Sequence, residues 1–246
     1  MFEGDGWFSI SKKGKYLTYE FGIELSIRDI QLIYKIKNLL AVGVVCFRKS
    51  NARAETVFLR VRNKNHLINF IFPILDRYPF ISNKQYDYIR FKNALLSGII
   101  YSEQLPKYIR PVNPLNSIET IINLDYFSPW LVGFIESEGC FSIYKPSLDN
   151  SLIASFEISQ TDGEILILAI KNYLSLGRPL KNIKPDKTNN FKLKASSVRC
   201  VENVLKFMQY APVKLLGYKK LQYLLWIKTL RTIPRYTKKI TIPNNY

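Results

Sequence analysis

Histidine occurs once in the 246 residues, at His66, and cysteine three times, at Cys46, Cys140 and Cys200. The cysteines are odd in number, far apart and form no C-x-x-C pair, which argues against a zinc site or a disulfide framework. Each reads instead as a small buried hydrophobe in a reducing compartment. His66 stands beside Leu67 and Ile68 in a helical stretch and reads as structural. One imidazole also disfavours any hydrolytic chemistry built on several histidines. A metal held by this chain would rest on oxygen ligands, which points to Mg²⁺ or a similarly hard ion. Acidic residues are scarce, 19 against 36 lysines and arginines, giving a net charge of +17 and a pI near 9.7. Such an excess favours a polyanionic partner, either nucleic acid or an anionic membrane surface. No apolar run approaches the ~20 residues that span a bilayer, and no basic segment with an apolar stretch behind it opens the chain, so neither a membrane span nor secretion is expected. Hydrophobic residues make up 47%, enough for one large core or two ordinary ones.

What the sequence does contain is the same phrase twice. Phe2-Glu3-Gly4-Asp5-Gly6-Trp7-Phe8-Ser9-Ile10 returns as Ile135-Glu136-Ser137-Glu138-Gly139-Cys140-Phe141-Ser142-Ile143, an offset of 133 (138 − 5). Glu24 to Asp29 aligns with Glu157 to Asp162 at the same offset, Leu59-Arg60-Val61 with Leu193-Lys194-Ala195 at 134 (193 − 59), and Asn83 to Tyr88 with Tyr218 to Tyr223 at 135 (218 − 83). Offsets that drift by single residues while staying in order indicate a duplicated domain with small loop insertions. Pro106, Pro111 and Pro114 mark an extended linker, so the expected divisions are a first half over 1–104, a linker over 105–117 and a second half over 118–246. Pro234 and Pro243 are expected to leave the basic tail with Arg231, Arg235, Lys238 and Lys239 irregular.

Each half reads as α+β. Phe8 and Ile10 alternate with Ser9 and Ser11, and Tyr19, Phe21, Ile23 and Leu25 alternate with polar neighbours, a strand pattern with Lys12-Lys13-Gly14-Lys15 as the turn between them. Ile30, Ile33, Ile36 and Leu40 have helical spacing. Val57, Leu59 and Val61 alternate with Phe58, Arg60 and Arg62, a strand with one apolar and one largely basic face; Lys192 and Lys194 repeat that face. A sheet with helices on one side and cations on the other suits a duplex.

The residues Leu131 to Ile135 read as the last stretch of a helix, with Gly139 expected to adopt the left-handed cap that glycine allows. Glu136 and Glu138 then sit at the wrong end of the helix dipole, at a cost of roughly 0.3–1 kcal/mol each, which a bound cation would reverse. A local rule broken at the same place in both copies points to function. Gly133 and Ser137, four apart and small, would let a second helix approach closely; if the first half's equivalent helix packs there, Asp5 and Glu138 meet and can hold metals against a scissile phosphate. Lys84 and Lys219 recur at matching places and suit stabilisation of developing negative charge. Gln160 follows a strand near the expected site and is a candidate for orienting a water.

Leu131-Val132-Gly133-Phe134-Ile135-Glu136-Ser137-Glu138-Gly139 resembles the motif that names the LAGLIDADG homing endonucleases, and Phe2-Glu3-Gly4-Asp5-Gly6 matches the last five positions of a second copy. The resemblance covers the whole chain and is to the single-chain, two-motif type, close in wording to fungal mitochondrial intron-encoded enzymes that also act as RNA maturases. It implies two pseudo-symmetric αββαββα halves whose sheets form a saddle over the major groove of a long, pseudo-palindromic DNA site. Cleavage of both strands across the minor groove would leave four-nucleotide 3′ overhangs. Asp5 and Glu138, with Gly4 and Ser137 beside them, would bind two or three Mg²⁺ ions, with Ca²⁺ or Mn²⁺ able to substitute. Lys84, Lys219 and Gln160 would complete the catalytic set. Arg60, Arg62, Lys192, Lys194, Lys12, Lys13 and Lys15, together with Arg28, Arg48 and Lys145, are expected to supply groove and phosphate contacts. The implied protein is a mitochondrial monomer with no membrane partner. The first motif begins at Met1-Phe2, so only the end of its helix is present and further upstream residues are expected.

Two other readings use the same scaffold: an RNA-binding maturase acting on its own intron RNA, with or without nuclease activity, and a sequence-specific DNA-binding regulator. Neither needs Asp5 or Glu138, so the duplicated acids separate them from the nuclease.

Overall fold

The computed structural model describes residues 1–49, 55–111, 116–146, 151–177 and 183–244. They form two compact units, Phe2–Leu115 and Asn116–Tyr246. In the first, α1 (Phe2–Asp5) runs straight into β1 (Gly6–Lys13), and a turn at Gly14, whose φ of +62° suits glycine, returns the chain into β2 (Tyr16–Ser26). Then follow α2 (Ile30–Leu40), β3 (Val44–Arg48) and β4 (Thr56–Val61), giving an antiparallel sheet in the order β1-β2-β4-β3. Next comes α3 (Lys64–His66), which widens into a π turn over Leu67–Ile71 before α4 (Phe72–Arg77). Pro73, which has no N–H and crowds the carbonyl four residues back, accounts for the widening. The unit's last long helix is α5 (Lys84–Leu96).

The second unit repeats this order with α6 (Ile118–Ile122), α7 (Phe127–Glu138), β5 (Cys140–Tyr144), β6 (Ile153–Thr161), α8 (Glu164–Tyr173), β7 (Asn190–Ala195), α9 (Val198–Tyr210) and α10 (Tyr218–Leu230), then a final turn α11 (Pro234–Thr237). Among the described residues its sheet has three strands, β5-β6-β7. The place where a counterpart of β3 would fall, 134 residues beyond 44–48, lies in 178–182, outside the described residues.

The ladders correct one part of the sequence alignment. Trp7 stands opposite Gly22, whereas Cys140, its counterpart, stands opposite Glu157. Glu157 therefore occupies the place of Gly22, and Ser159 that of Glu24: along this strand the offset is 135, not 133. A slip of two residues keeps every side chain on its own face, so hydrophobic alternation cannot reveal it.

The cores repeat in step with that register. Phe8 lies 5.3 to 5.6 Å, ring to ring, from Phe21, Phe80, Tyr88 and Phe91. Phe141 lies 5.0 to 5.4 Å from Phe156, Tyr223 and Trp226. Phe21 and Phe156 are both buried, as are Tyr88 and Tyr223. Truncating such a ring costs about 3–5 kcal/mol.

Expectations for the tail and the cysteines are revised, and the linker is seen in part. Pro234 starts a helical turn rather than breaking one, since its missing N–H needs no partner at a first helical position. The proline-containing linker is fastened where it is described: Tyr108 donates to the Asp87 carboxylate at 2.8 Å, Arg110 binds the same carboxylate through two nitrogens, and the Arg90 guanidinium lies 4.5 Å over the Tyr108 ring. Burial, with the Asp87 charge, pushes the Tyr108 hydroxyl up to about 12. Finally, the cysteines are not alike, Cys200 being buried, Cys46 half-buried and Cys140 exposed.

Candidate metal and nucleic-acid site

Asp5 and Glu138 are each the last residue of a helix, α1 and α7, and each is half-buried. The glycine that follows ends the helix and admits the strand without a loop. It does not do so by a left-handed cap: Gly139 has φ −72° and ψ 146°, ordinary extended backbone. What requires glycine is space. A Cβ on Gly139 would lie 2.6 Å from the Ile135 carbonyl oxygen, and one on Gly6 would lie 2.5 Å from that of Phe2.

Two further interactions recur around each acid. Glu3, only 3% exposed, accepts from the backbone N–H of Ile81 at 3.1 Å and of Ser82 at 3.0 Å. Glu136 accepts from Leu216 N–H at 2.7 Å and Gly217 N–H at 3.1 Å. In the opposite direction the Lys84 ammonium donates to the carbonyls of Phe2 and Gly4, both at 3.1 Å, and of Gly6 at 2.6 Å. The Lys219 ammonium donates to the Gly139 carbonyl at 2.6 Å. The acid phrase and the head of α5 or α10 are thus clamped by a carboxylate on one side and an ammonium on the other. A helix C-terminus leaves carbonyls without intrahelical partners, and charge-assisted bonds to them are stronger than neutral ones. The lysine is therefore a built-in cation at the negative helix end, and the dipole penalty by itself does not demand a metal. Sequence reasoning gave Glu3 no role and counted Glu136 only among the anions at the helix end. Their signal was recurrence at a similar distance, 78 and 80 residues, from the segment preceding each paired lysine.

The remaining candidates are distributed as follows. Gly4 offers a carbonyl already engaged by Lys84, and the Ser137 hydroxyl donates to the Phe134 carbonyl at 3.0 Å, inside its own helix. Gln160 stands on the core side of β6, opposite Phe191 and in line with Phe156 and Ile158, and its Cβ and Cγ lean on Gly163. It lies three residues, about 10 Å, along the strand from Glu157.

The face of each sheet turned away from its helices carries most of the expected cations, and four of them are paired with carboxylates. In the first unit Arg62 pairs with Glu20, and Arg48 pairs with Glu24 at 2.9 Å while Thr56 donates to the same carboxylate. Arg48 and Arg60 flank the Phe58 ring at 5.5 and 5.9 Å, and Phe58 contacts Trp7, whose ring lies over Gly22. In the second unit Lys192 and Lys194 both pair with Glu157. The Lys192 contact, then that of Lys194, holds the Glu157 carboxyl below its ordinary value, and Glu157 raises the Lys194 ammonium. Lys13 shares the outer face with Trp7, Ser9 and Ser11, whereas Lys12 falls on the pleat of Phe8 and Ile10, and both lysines are exposed. Lys15 lies in the turn with its ammonium 5.4 Å from the Tyr16 ring. Arg28 lies in the short helical turn after β2, and Lys145 just past β5; both are exposed.

Among the described residues no group of three or more His, Cys, Asp or Glu forms a metal cluster by itself. In each unit, taken by itself, the acid that ends the helix is a half-buried carboxylate beside backbone carbonyls, all of them hard oxygen donors. Mg²⁺ commonly takes only one or two protein carboxylates and completes its shell with water and substrate phosphate, so this set fits such an ion.

The model of the LAGLIDADG endonuclease family matches residues 1–95 and 131–230, both copies of the repeat. A Schizosaccharomyces pombe protein described as a probable intron-encoded endonuclease is 29% identical over 248 residues, covering 93% of this chain and 62% of that protein. The chain thus spans about three fifths of that relative's length. Among solved structures, the LAGLIDADG homing endonuclease I-GzeII in complex with its DNA target superposes with a TM-score of 0.76 at 20% identity, over 98% of this chain and 90% of that one. I-SmaMI, bound to an uncleaved DNA target in the presence of calcium ions, gives 0.74 at 20% identity, over 97% and 93%. The two structures establish the fold, and the duplicated acid phrases fall inside the matched regions. The chain belongs to the LAGLIDADG endonuclease family.

Proposed function

We propose that this chain is a site-specific homing endonuclease that cuts both strands of a long, pseudo-palindromic DNA site with the help of Mg²⁺, leaving four-nucleotide 3′ overhangs. The observation that carries the reading is the clamp built twice, an acid at a helix end flanked by a glutamate anchored on backbone N–H groups and by a lysine. A protein that only bound nucleic acid would need neither the acid nor its support. Asp5 and Glu138, with Gly4 and Ser137 beside them, are the residues that would hold divalent ions. Bound there, such ions activate water and neutralise charge on the leaving oxygen. Glu3 and Glu136 fix the direction of each acid by anchoring the adjacent backbone. Lys84 and Lys219 keep positive charge at each helix end, where an approaching phosphate would otherwise meet exposed carbonyls. The outer sheet faces supply the binding surface, and the +17 charge favours steep salt dependence.

The chain is proposed to act as a monomer in the mitochondrion, and its likeness to a probable intron-encoded endonuclease supports an intron origin. A maturase role for the same basic surfaces is the weaker reading, because RNA binding leaves both acids unexplained. The test is the double variant Asp5→Asn, Glu138→Gln. It should bind a selected DNA target as the parent does and cut neither strand; cutting at the parental rate would refute the assignment.

A further inference from the structure

Glu157 lies on the outer face of the middle strand β6, between Cys140 on β5 and Lys194 on β7. Its two oxygens are divided between two cations: Oε1 takes Lys194 at 2.9 Å, and Oε2 takes Lys192. The carboxylate is sheltered, with 15% of its side chain exposed, whereas Lys192 and Lys194 are 57% and 47% exposed. Lys194 is fixed from a second side by the Tyr144 ring, 4.5 Å from its ammonium. The Ser155 hydroxyl donates to Oε1 at 3.4 Å. Two cations are thus presented outward from a common anchor, and the trio carries a net charge of only +1.

That arrangement is poor for phosphate and good for bases. A phosphate contact gains from full, unpaired charge and tolerates a mobile ammonium; here one charge in two is cancelled and both side chains are held. Reading a base edge needs the reverse, fixed donors with little non-specific attraction, and lysine donates to guanine O6 and N7 in the major groove. We propose that Glu157 is a positioning residue that turns Lys192 and Lys194 from phosphate contacts into readers of G·C pairs, so that the half-site met by the second sheet contains guanine there. The first sheet has no counterpart, because its equivalent position is Gly22 beneath Trp7, and the two half-sites differ at this point. This inference rests on the proposed DNA-binding role.

The experiment uses the full chain and duplexes recovered from a randomised library by the parent protein, with binding measured in EDTA. Glu157→Gln should bind random-sequence duplex more tightly, with a steeper salt slope, and should lose about tenfold or more in discrimination against G·C to A·T changes at one or two adjacent positions. Lys194→Met should lose the same discrimination while leaving the salt slope unchanged. Its side chain is half-exposed, so it reports even where the glutamate variant folds poorly in a thermal melt. Glu157→Asp should restore part of the discrimination. A Lys194→Met protein whose salt slope falls by about 0.9 with base preference intact would make the lysine a phosphate contact and overturn the inference. Unchanged discrimination in a folded Glu157→Gln would do the same, leaving the nuclease reading standing. A parent protein that selects no sequence would overturn both.

Discussion

In the first unit a tryptophan lies over a glycine at the inner end of the sheet, flanked by a phenylalanine and two arginines; in the second, the same two positions hold a cysteine and a glutamate that anchors two lysines. A few residues away, the helix ends that carry Asp5 and Glu138 repeat nearly bond for bond, down to which glutamate oxygen accepts from which amide. Duplication has therefore kept the acid clamp and let the outer sheet face drift. Groups that must hold an anion against a helix C-terminus have few solutions. If the outer faces meet the two half-sites of the proposed DNA target, each face is constrained by its own half-site, and the two need not be alike.

Four measurements would break or sharpen this contrast. The largest effect is expected at the buried acid: Glu3→Ala strands two backbone N–H groups where water hardly reaches and should cost about 3 kcal/mol in urea unfolding, against about 2 kcal/mol for the more exposed Glu136→Ala. Equal losses would mean the clamps are alike in energy as well as in geometry. Next are the lysines. Lys84 reaches three carbonyls on its acid phrase and Lys219 one, so Lys84→Met should destabilise by about 2–3 kcal/mol and Lys219→Met by about half that.

The third is a pH effect. Asp76 in the first unit loses solvation, but hydrogen bonds from Lys92 and Tyr88 outweigh that and hold its carboxyl below the usual range; in the second unit Glu157 is held low mainly by Lys192. A depressed carboxyl contributes stability at pH values above its unfolded pKa and loses it as pH falls through the folded one. Stability should therefore drop as pH falls below the ordinary values near 4.5 and 3.8, and Asp76→Asn and Glu157→Gln should each remove part of that drop. Fully parental acid profiles in both variants would refute it. The smallest effect concerns the thiols: Cys140 should alkylate fastest, Cys46 more slowly and Cys200 last, with bound duplex protecting Cys140 and Cys46, which share the outer sheet faces. Equal protection of Cys200 would point to a global effect rather than coverage of those faces.

Much of the fold was legible because period-2 and helical spacing report burial directly: the strands around Phe21 and Val57 and the helix from Ile30 to Leu40 fall where their alternation puts them. What remained hidden had physical reasons. A two-residue slip between Gly22 and Glu157 preserves the pattern. The Glu3 and Glu136 clamps are bonds across about 80 residues of chain, invisible to local propensity. Gly139 was recognised as special for the wrong reason, conformational freedom in place of lack of room.

That lack of room has an engineering consequence. At Gly6 and Gly139 the helix becomes strand within one residue, so the acid and the first outward strand side chain are only two positions apart: Asp5 and Trp7, Glu138 and Cys140. No loop exists to absorb an adjustment. On the proposed nuclease reading, retargeting at Trp7 or Cys140 pulls on the acid through two stiff peptide units, and variants there should trade recognition against turnover. Positions farther along the same strands, such as Ser11 or Tyr144, can be redesigned with far less mechanical consequence for the chemistry.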